Sequence, residues 1–141
     1  MSWLPLFAIR RFIHVLAASI WVGGQLVMVG LIPMMRAKGG DIATAAGKAY
    51  NRLAWPAFAV LIASGIWNIL SYSMQSLNIT ILSVKLVLVF FSGVGAASHQ
   101  IVAAHQEPFR GRTAILAAGA TMSTVFAVVA MYLGLIVTTV F

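Results

Sequence analysis

Four long apolar runs alternate with short polar segments along this chain. The runs cover about residues 12–35, 53–72, 79–104 and 113–140, and each reaches the roughly 20 residues that a helix needs to cross a bilayer. Glycine, proline and charged residues punctuate the short links between them. The pattern predicts an all-α polytopic membrane protein, folded over residues 1–141 as a single up-down four-helix transmembrane bundle.

The composition supports this class of protein. Charged residues make up only 8% of the chain, against about 25% in a soluble domain. So few charges exclude a soluble enzyme, a nucleic-acid-binding module and a disordered segment. The expected partner is therefore the lipid bilayer and not nucleic acid. Because the chain has no cysteine, disulfides, iron–sulfur clusters and thiolate zinc sites are excluded as well.

The net charge of +7 is interpreted as a topology signal. Two basic residues, Arg10 and Arg11, flank the first run on one side of the membrane. Those expected on the other side are Arg36, Lys38, Lys48, Arg52, Arg110 and Arg112. Since basic residues accumulate on the cytoplasmic side, we predict that both termini lie outside, in the periplasm. The chain is then a multi-pass protein of the bacterial inner membrane.

Three ionisable residues lie inside the predicted spans: His14, Lys85 and His99. An ionisable residue at the centre of a span costs roughly 2.5 to 3.5 kcal/mol on insertion scales, so each of the three is a functional candidate. On the first span, His14 shares one helical face with Trp21 and Met28, and on the third span Lys85 and His99 share another.

Depth in the membrane separates these candidates. His14 and Lys85 both lie in the outer third of their spans, whereas His99 lies in the inner half, because fourteen residues of helix, about 21 Å, separate it from Lys85. The outer end of the second span adds Ser64 and Asn68, and that of the fourth span adds Tyr132. The outer half therefore gathers His14, Ser64, Asn68, Lys85 and Tyr132, and the predicted cofactor-binding residues are His14, Trp21, Asn68, Lys85 and Tyr132.

Each candidate also has a plainer structural interpretation. His14 could be a hydrogen-bonded interfacial group, Lys85 could extend its ammonium to the outer surface, and His99 could hydrogen-bond a neighbouring helix. Met28 and Trp21 are of residue types that often serve packing alone.

The polar residues of the first three spans carry a family resemblance. The first span resembles the first-helix signature of the copper-resistance D (CopD) family, in the segment Arg11-Phe-Ile-His14-Val-Leu-Ala-Ala-Ser-Ile-Trp21-Val-Gly-Gly24. The blocks that resemble later parts of that family are Tyr50-Asn-Arg52-Leu-Ala-Trp-Pro56, Ala63-Ser-Gly65-Ile-Trp-Asn68 and Leu82-Ser-Val-Lys85-Leu. The resemblance covers roughly Arg10 to Gln100 and implies that His14 and Lys85 carry the site.

A second family shares this skeleton, the HemJ-type protoporphyrinogen oxidases, which carry haem b. Its acidic and arginine-rich C-terminal blocks are missing here, and the Trp-x-Gly-Gly form in the first span favours CopD. The resemblance therefore implies a redox or metal-handling membrane protein.

Haem b is the first candidate cofactor. His14 would ligate the iron, and Lys85 would pair with a propionate or, deprotonated by burial, serve as an axial ligand. Asn68 or Tyr132 would hold the second ring nitrogen of His14. An enzyme of this kind would be a haem-dependent oxidoreductase, with protoporphyrinogen IX oxidation as the alternative activity and a quinone as a candidate electron partner.

Two further functions stay open. Copper could pass from His14 outside to inner ligands that include Met28 and His99, because imidazole and thioether groups suit that metal. Alternatively the chain could be an accessory subunit, in a homo-oligomer or a larger membrane complex. The residues alone do not choose between haem b and copper.

Overall fold

The structure, a computed structural model, describes residues 3–137. Within them the chain forms helices joined by short links, and no strand occurs. The α-helices are α1 (Trp3–Ala18), α2 (Gly24–Lys38), α3 (Gly40–Leu70), α4 (Ile79–Ala104) and α5 (Arg112–Ile136). A π-helical turn, Ser19–Gly23, joins α1 to α2 without a break. The predicted all-α class is confirmed.

Four helical segments of the described chain are long and apolar enough to cross a membrane. They are Pro5–Lys38, Gly40–Leu70, Ile79–Ala104 and Arg112–Ile136, which confirms the predicted class of membrane protein. At 1.5 Å per residue the first two are about 50 and 45 Å long, longer than the roughly 30 Å hydrocarbon core. Helical structure in this half of the chain therefore continues past the lipid.

The helix boundaries differ from the apolar runs at the start of the first span, since α1 begins at Trp3 and not near residue 12, and between the first and second spans. The polar stretch expected to link them is helical except at Gly39, whose φ of 152° favours glycine. Alanine, the strongest helix former, recurs through residues 43–49, and so α3 begins well before residue 53. The predicted third span, 79–104, coincides with α4. The last part of the predicted fourth span, 138–140, lies outside the described residues.

The described chain divides into two compact units, of which one ends at Ser73 and the other begins at Met74. We call them the N-terminal hairpin, in which α1, the π-helical turn and α2 pack against α3, and the C-terminal hairpin, in which α4 packs against α5. Assembly into one four-helix bundle, and the orientation of the termini, stay predictions from the sequence.

Aromatic side chains pack the centre of the N-terminal hairpin. Trp21, in the π-helical turn, is 3% exposed, and its ring centroid lies 5.6 Å from that of Trp55 and 4.3 Å from that of Phe58. The Tyr50 hydroxyl donates to the Trp21 carbonyl at 3.0 Å. A π-helical turn perturbs the regular backbone hydrogen bonds of a helix, and Tyr50 supplies one from the facing helix. Gly24 admits the Tyr50 ring, which a Cβ there would overlap.

Candidate functional site

Two polar side-chain pairs join α1 to α3 near the open end of the N-terminal hairpin. Nδ1 of His14 lies 2.9 Å from Oγ of Ser64, and Nε of Arg10 donates to Oδ1 of Asn68 at 2.7 Å. The two members on each helix are four residues apart, so they lie on one face of that helix. The antiparallel register of the two helices therefore brings His14 to Ser64 and Arg10 to Asn68.

The Ser64 hydroxyl lies within hydrogen-bond distance of both the His14 ring and its own helix. When it donates to the Leu61 carbonyl, 3.2 Å away, it accepts from the imidazole. In that arrangement Nδ1 of His14 carries the ring proton, and the lone pair of the neutral imidazole is on Nε2. This is the tautomer in which a histidine ligates a metal through Nε2 while a neighbouring group holds Nδ1.

Gly65 gives the His14 ring its space. A Cβ at this position would lie 3.3 Å from Cε1 of His14, a closer approach than ordinary van der Waals contact. The imidazole of His14 therefore packs against the backbone of α3 between Ser64 and the open end of the hairpin. His14 itself is half-buried.

The polar face of α4 lies against α5. Oγ of Ser92 donates to the Ser123 carbonyl at 2.8 Å, and Nδ1 of His99 donates to the Leu116 carbonyl, also at 2.8 Å. A hydrogen bond from His99 to a neighbouring helix, the plainer interpretation of this residue, is confirmed.

Lys85 lies on the same face of α4, near the end of α5. A Cβ at Gly134 would lie 2.9 Å from its Nζ, so this glycine leaves room for the ammonium group. Lys85 is half-buried, and no hydrogen bond or ion pair joins it to another residue in the described part of the chain. That Lys85 binds the same cofactor as His14 stays a prediction.

The remaining predicted site residues lie in different surroundings. Asn68 contacts Arg10, and Trp21 belongs to the aromatic cluster. Met28 is half-buried on α2, about 21 Å along the helix from His14, which is too far for both to bind one metal ion. Tyr132 is 61% exposed.

Metal-ligating side chains do not cluster in residues 3–137, where no group of three or more His, Cys, Asp or Glu residues is placed to hold a metal ion. A copper site built from His14 would therefore need ligands of other types. A haem iron needs only one or two axial ligands from the protein, which a single histidine can begin to satisfy.

Sequence reasoning assigned no site role to Arg10. The sequence predicts for it only a topology charge, yet its side chain is 7% exposed and hydrogen-bonded to Asn68. Its four-residue spacing from His14 puts both residues on one face of α1, and that spacing is the signal that indicates a shared site. The π-helical turn and the hydrogen bond of Tyr50 leave no signal in the hydrophobic pattern of the chain.

Comparison with protein-family models finds none that matches the chain, and comparisons with curated proteins and with solved structures find no significant match. The CopD resemblance therefore rests on the motif residues of the first three spans alone.

Proposed function

We propose that this chain is a CopD-like integral membrane protein whose N-terminal hairpin holds haem b or copper through Nε2 of His14, and that it acts in redox chemistry or copper handling. The observation that carries the proposal is the hydrogen-bonded pair of His14 and Ser64. An apolar helix seldom carries an ionisable ring without a function, and this ring is held by a hydrogen bond to the facing helix.

Haem b fits the donor set better than copper does. His14 offers one imidazole nitrogen, and within residues 3–137 no group of three or more His, Cys, Asp or Glu residues is placed to hold a metal ion. One axial imidazole begins a haem site, whereas copper would need further ligands. Haem bound there would supply one-electron transfer.

The residues around His14 would orient its ring toward that cofactor. The hydrogen bond to Ser64 restrains the rotation of the His14 ring, so that Nε2 keeps one direction. Gly65 leaves room for the ring against the backbone of α3. The interior of the same hairpin also contains the contacting aromatic rings of Trp21, Trp55 and Phe58.

The test is the optical spectrum and metal content of protein purified from haem-replete membranes. We expect a Soret band in the wild type that His14→Ala abolishes and His99→Ala leaves in place, because His99 is bonded within the C-terminal hairpin. Ser64→Ala should weaken haem binding about tenfold, the usual cost of losing a group that orients a ligand. Ser83→Ala, at an exposed serine bonded to its own helix, is the matched control.

Two outcomes would contradict the proposal. A colourless wild-type preparation from haem-replete cells would show that the protein does not bind haem b. Equal copper stoichiometry in wild type and His14→Ala removes His14 from any copper route. If the Soret band is present, an assay for protoporphyrinogen IX oxidation tests the alternative activity. Purification only together with a larger complex would favour the accessory-subunit alternative.

A further inference from the structure

An arginine pair lies at the open end of the N-terminal hairpin, about one turn beyond His14. Arg10 is nine-tenths buried, and its Nε is bonded to Asn68. Its guanidinium carbon lies 5.5 Å from the Phe7 ring centroid and 5.6 Å from that of Tyr72. These contacts hold the guanidinium in one place, unlike the solvated side chain of an arginine that only marks topology.

Arg11 uses the same two aromatic residues. One of its Nη groups donates to the Tyr72 hydroxyl at 2.7 Å, and its guanidinium carbon lies 4.4 Å from the Phe7 centroid. Because both guanidinium carbons lie this close to one ring, they are at most about 10 Å apart, near the Debye length at 0.1 M salt. Two positive charges at this distance repel each other unless an anion lies near both.

No carboxylate neutralises the pair within the described N-terminal hairpin. Its single acidic residue, Asp41, lies in the first turn of α3, about 40 Å along the helix from Asn68. Arg10 forms no ion pair, and neither of its Nη groups hydrogen-bonds another residue of the range 3–137. The hairpin thus presents oriented cationic donors without an anion of its own.

We propose that Arg10 and Arg11 bind the phosphate of an anionic phospholipid headgroup. The planar fork of a guanidinium matches the oxygens of a phosphate. The partner of Arg10, Asn68, lies two residues before the end of α3 at Leu70, where a spanning helix leaves the hydrocarbon. A tyrosine such as Tyr72 is typical of that level. The site does not depend on a cofactor at His14.

The experiment is native mass spectrometry of the full chain, released from mixed phosphatidylglycerol and phosphatidylcholine bilayers, with the retained lipid counted. We expect the wild type to retain phosphatidylglycerol preferentially. Arg10→Lys keeps the charge but loses the fork, and should lower that retention at least about fivefold. Arg36→Gln removes an exposed arginine from the other end of the same span and should change it less than about twofold.

A second variant, Arg11→Gln, tests the site without changing buried Arg10, where a substitution could disturb folding. The helix content of both variants, compared with that of the wild type, checks that they are folded. Arg11→Gln should lower retention about twofold, since Arg11 is exposed and holds one of the two charges. Equal losses in Arg11→Gln and Arg36→Gln, with retention unchanged in Arg10→Lys, would reveal unspecific charge attraction and overturn the proposal. Unchanged retention in both Arg10→Lys and Arg11→Gln would overturn it as well. Displacement of the lipid by millimolar inorganic phosphate would assign the pair to a free anion instead.

Discussion

The helices inside each hairpin pack against each other in different ways. In the N-terminal hairpin, side chains of the two helices hydrogen-bond each other, as in the pairs Arg10–Asn68 and His14–Ser64. In the C-terminal hairpin, the backbones of the two helices are in close contact. A Cβ at Gly95 would lie 2.7 Å from the Gly119 carbonyl oxygen, which no neighbouring side chain could relieve by moving. Small residues let membrane helices approach this closely.

The difference decides where a ligand can be accommodated. In the C-terminal hairpin, Ser92 and His99 donate to backbone carbonyls of α5, so these side chains are used in packing. In the N-terminal hairpin, polar groups of long side chains face one another, and rotamer changes can open such contacts without moving a helix axis. Both sites proposed above therefore lie in the N-terminal hairpin.

Labelling of introduced cysteines has the largest expected effect, because its outcome is all or none. The chain has no cysteine, so each introduced thiol is unique. In intact cells an impermeant maleimide should label Gln75→Cys, in the link between the hairpins. It should miss Gly40→Cys and Gln106→Cys, in the two hairpin turns, because the charge bias predicts that both turns are cytoplasmic. Unequal labelling of the two turns would show that the hairpins are not oriented alike.

Substituting alanine for a glycine at a helix contact should cost more stability where backbones touch than where a side chain can move. Gly95→Ala, which sets a methyl group against the backbone of α5, should lower the free energy of unfolding in detergent by about 1 to 3 kcal/mol. Gly24→Ala should cost less, because the overlapping atoms belong to the Tyr50 ring, which can rotate away.

The control for these substitutions is Gly30→Ala. Nothing lies within 4 Å of a Cβ built there, so the better helix propensity of alanine should raise stability by up to about 1 kcal/mol. A loss at Gly30 as large as that at Gly95 would argue against close backbone packing as the cause.

Single hydrogen bonds between the helices should have the smallest effect. Tyr50→Phe removes the bond to the Trp21 carbonyl, and Ser92→Ala removes that to the Ser123 carbonyl. Each should cost about 0.6 kcal/mol, the average for such bonds in a membrane protein. Faster amide hydrogen exchange around the π-helical turn is expected for Tyr50→Phe alone, and an equal increase in Ser92→Ala would mean that Tyr50 does not stabilise that turn.

Much of the fold could be predicted because hydropathy is a property of each residue by itself. The apolar pattern predicts the third span with the bounds of α4, and a histidine inside a span allows the hydrogen bond that His99 makes to the neighbouring helix. The extension of α3 back to Gly40 was missed, since apolar runs mark passage through lipid whereas alanine continues a helix outside it. The candidate site could be predicted only as a set of polar residues on helical faces.

The sequence by itself determined the number of apolar helices and which of their faces are polar, since burial in lipid and helical periodicity act on every residue locally. Only the tertiary structure decided the partners. Ser64 lies 50 residues from His14 and Asn68 lies 58 from Arg10, and a shift of α3 by one residue would turn each away by about 100°. Because that register depends on the packing of whole helices, the pairing of His14 with Ser64 and the burial of Arg10 were decided at that level.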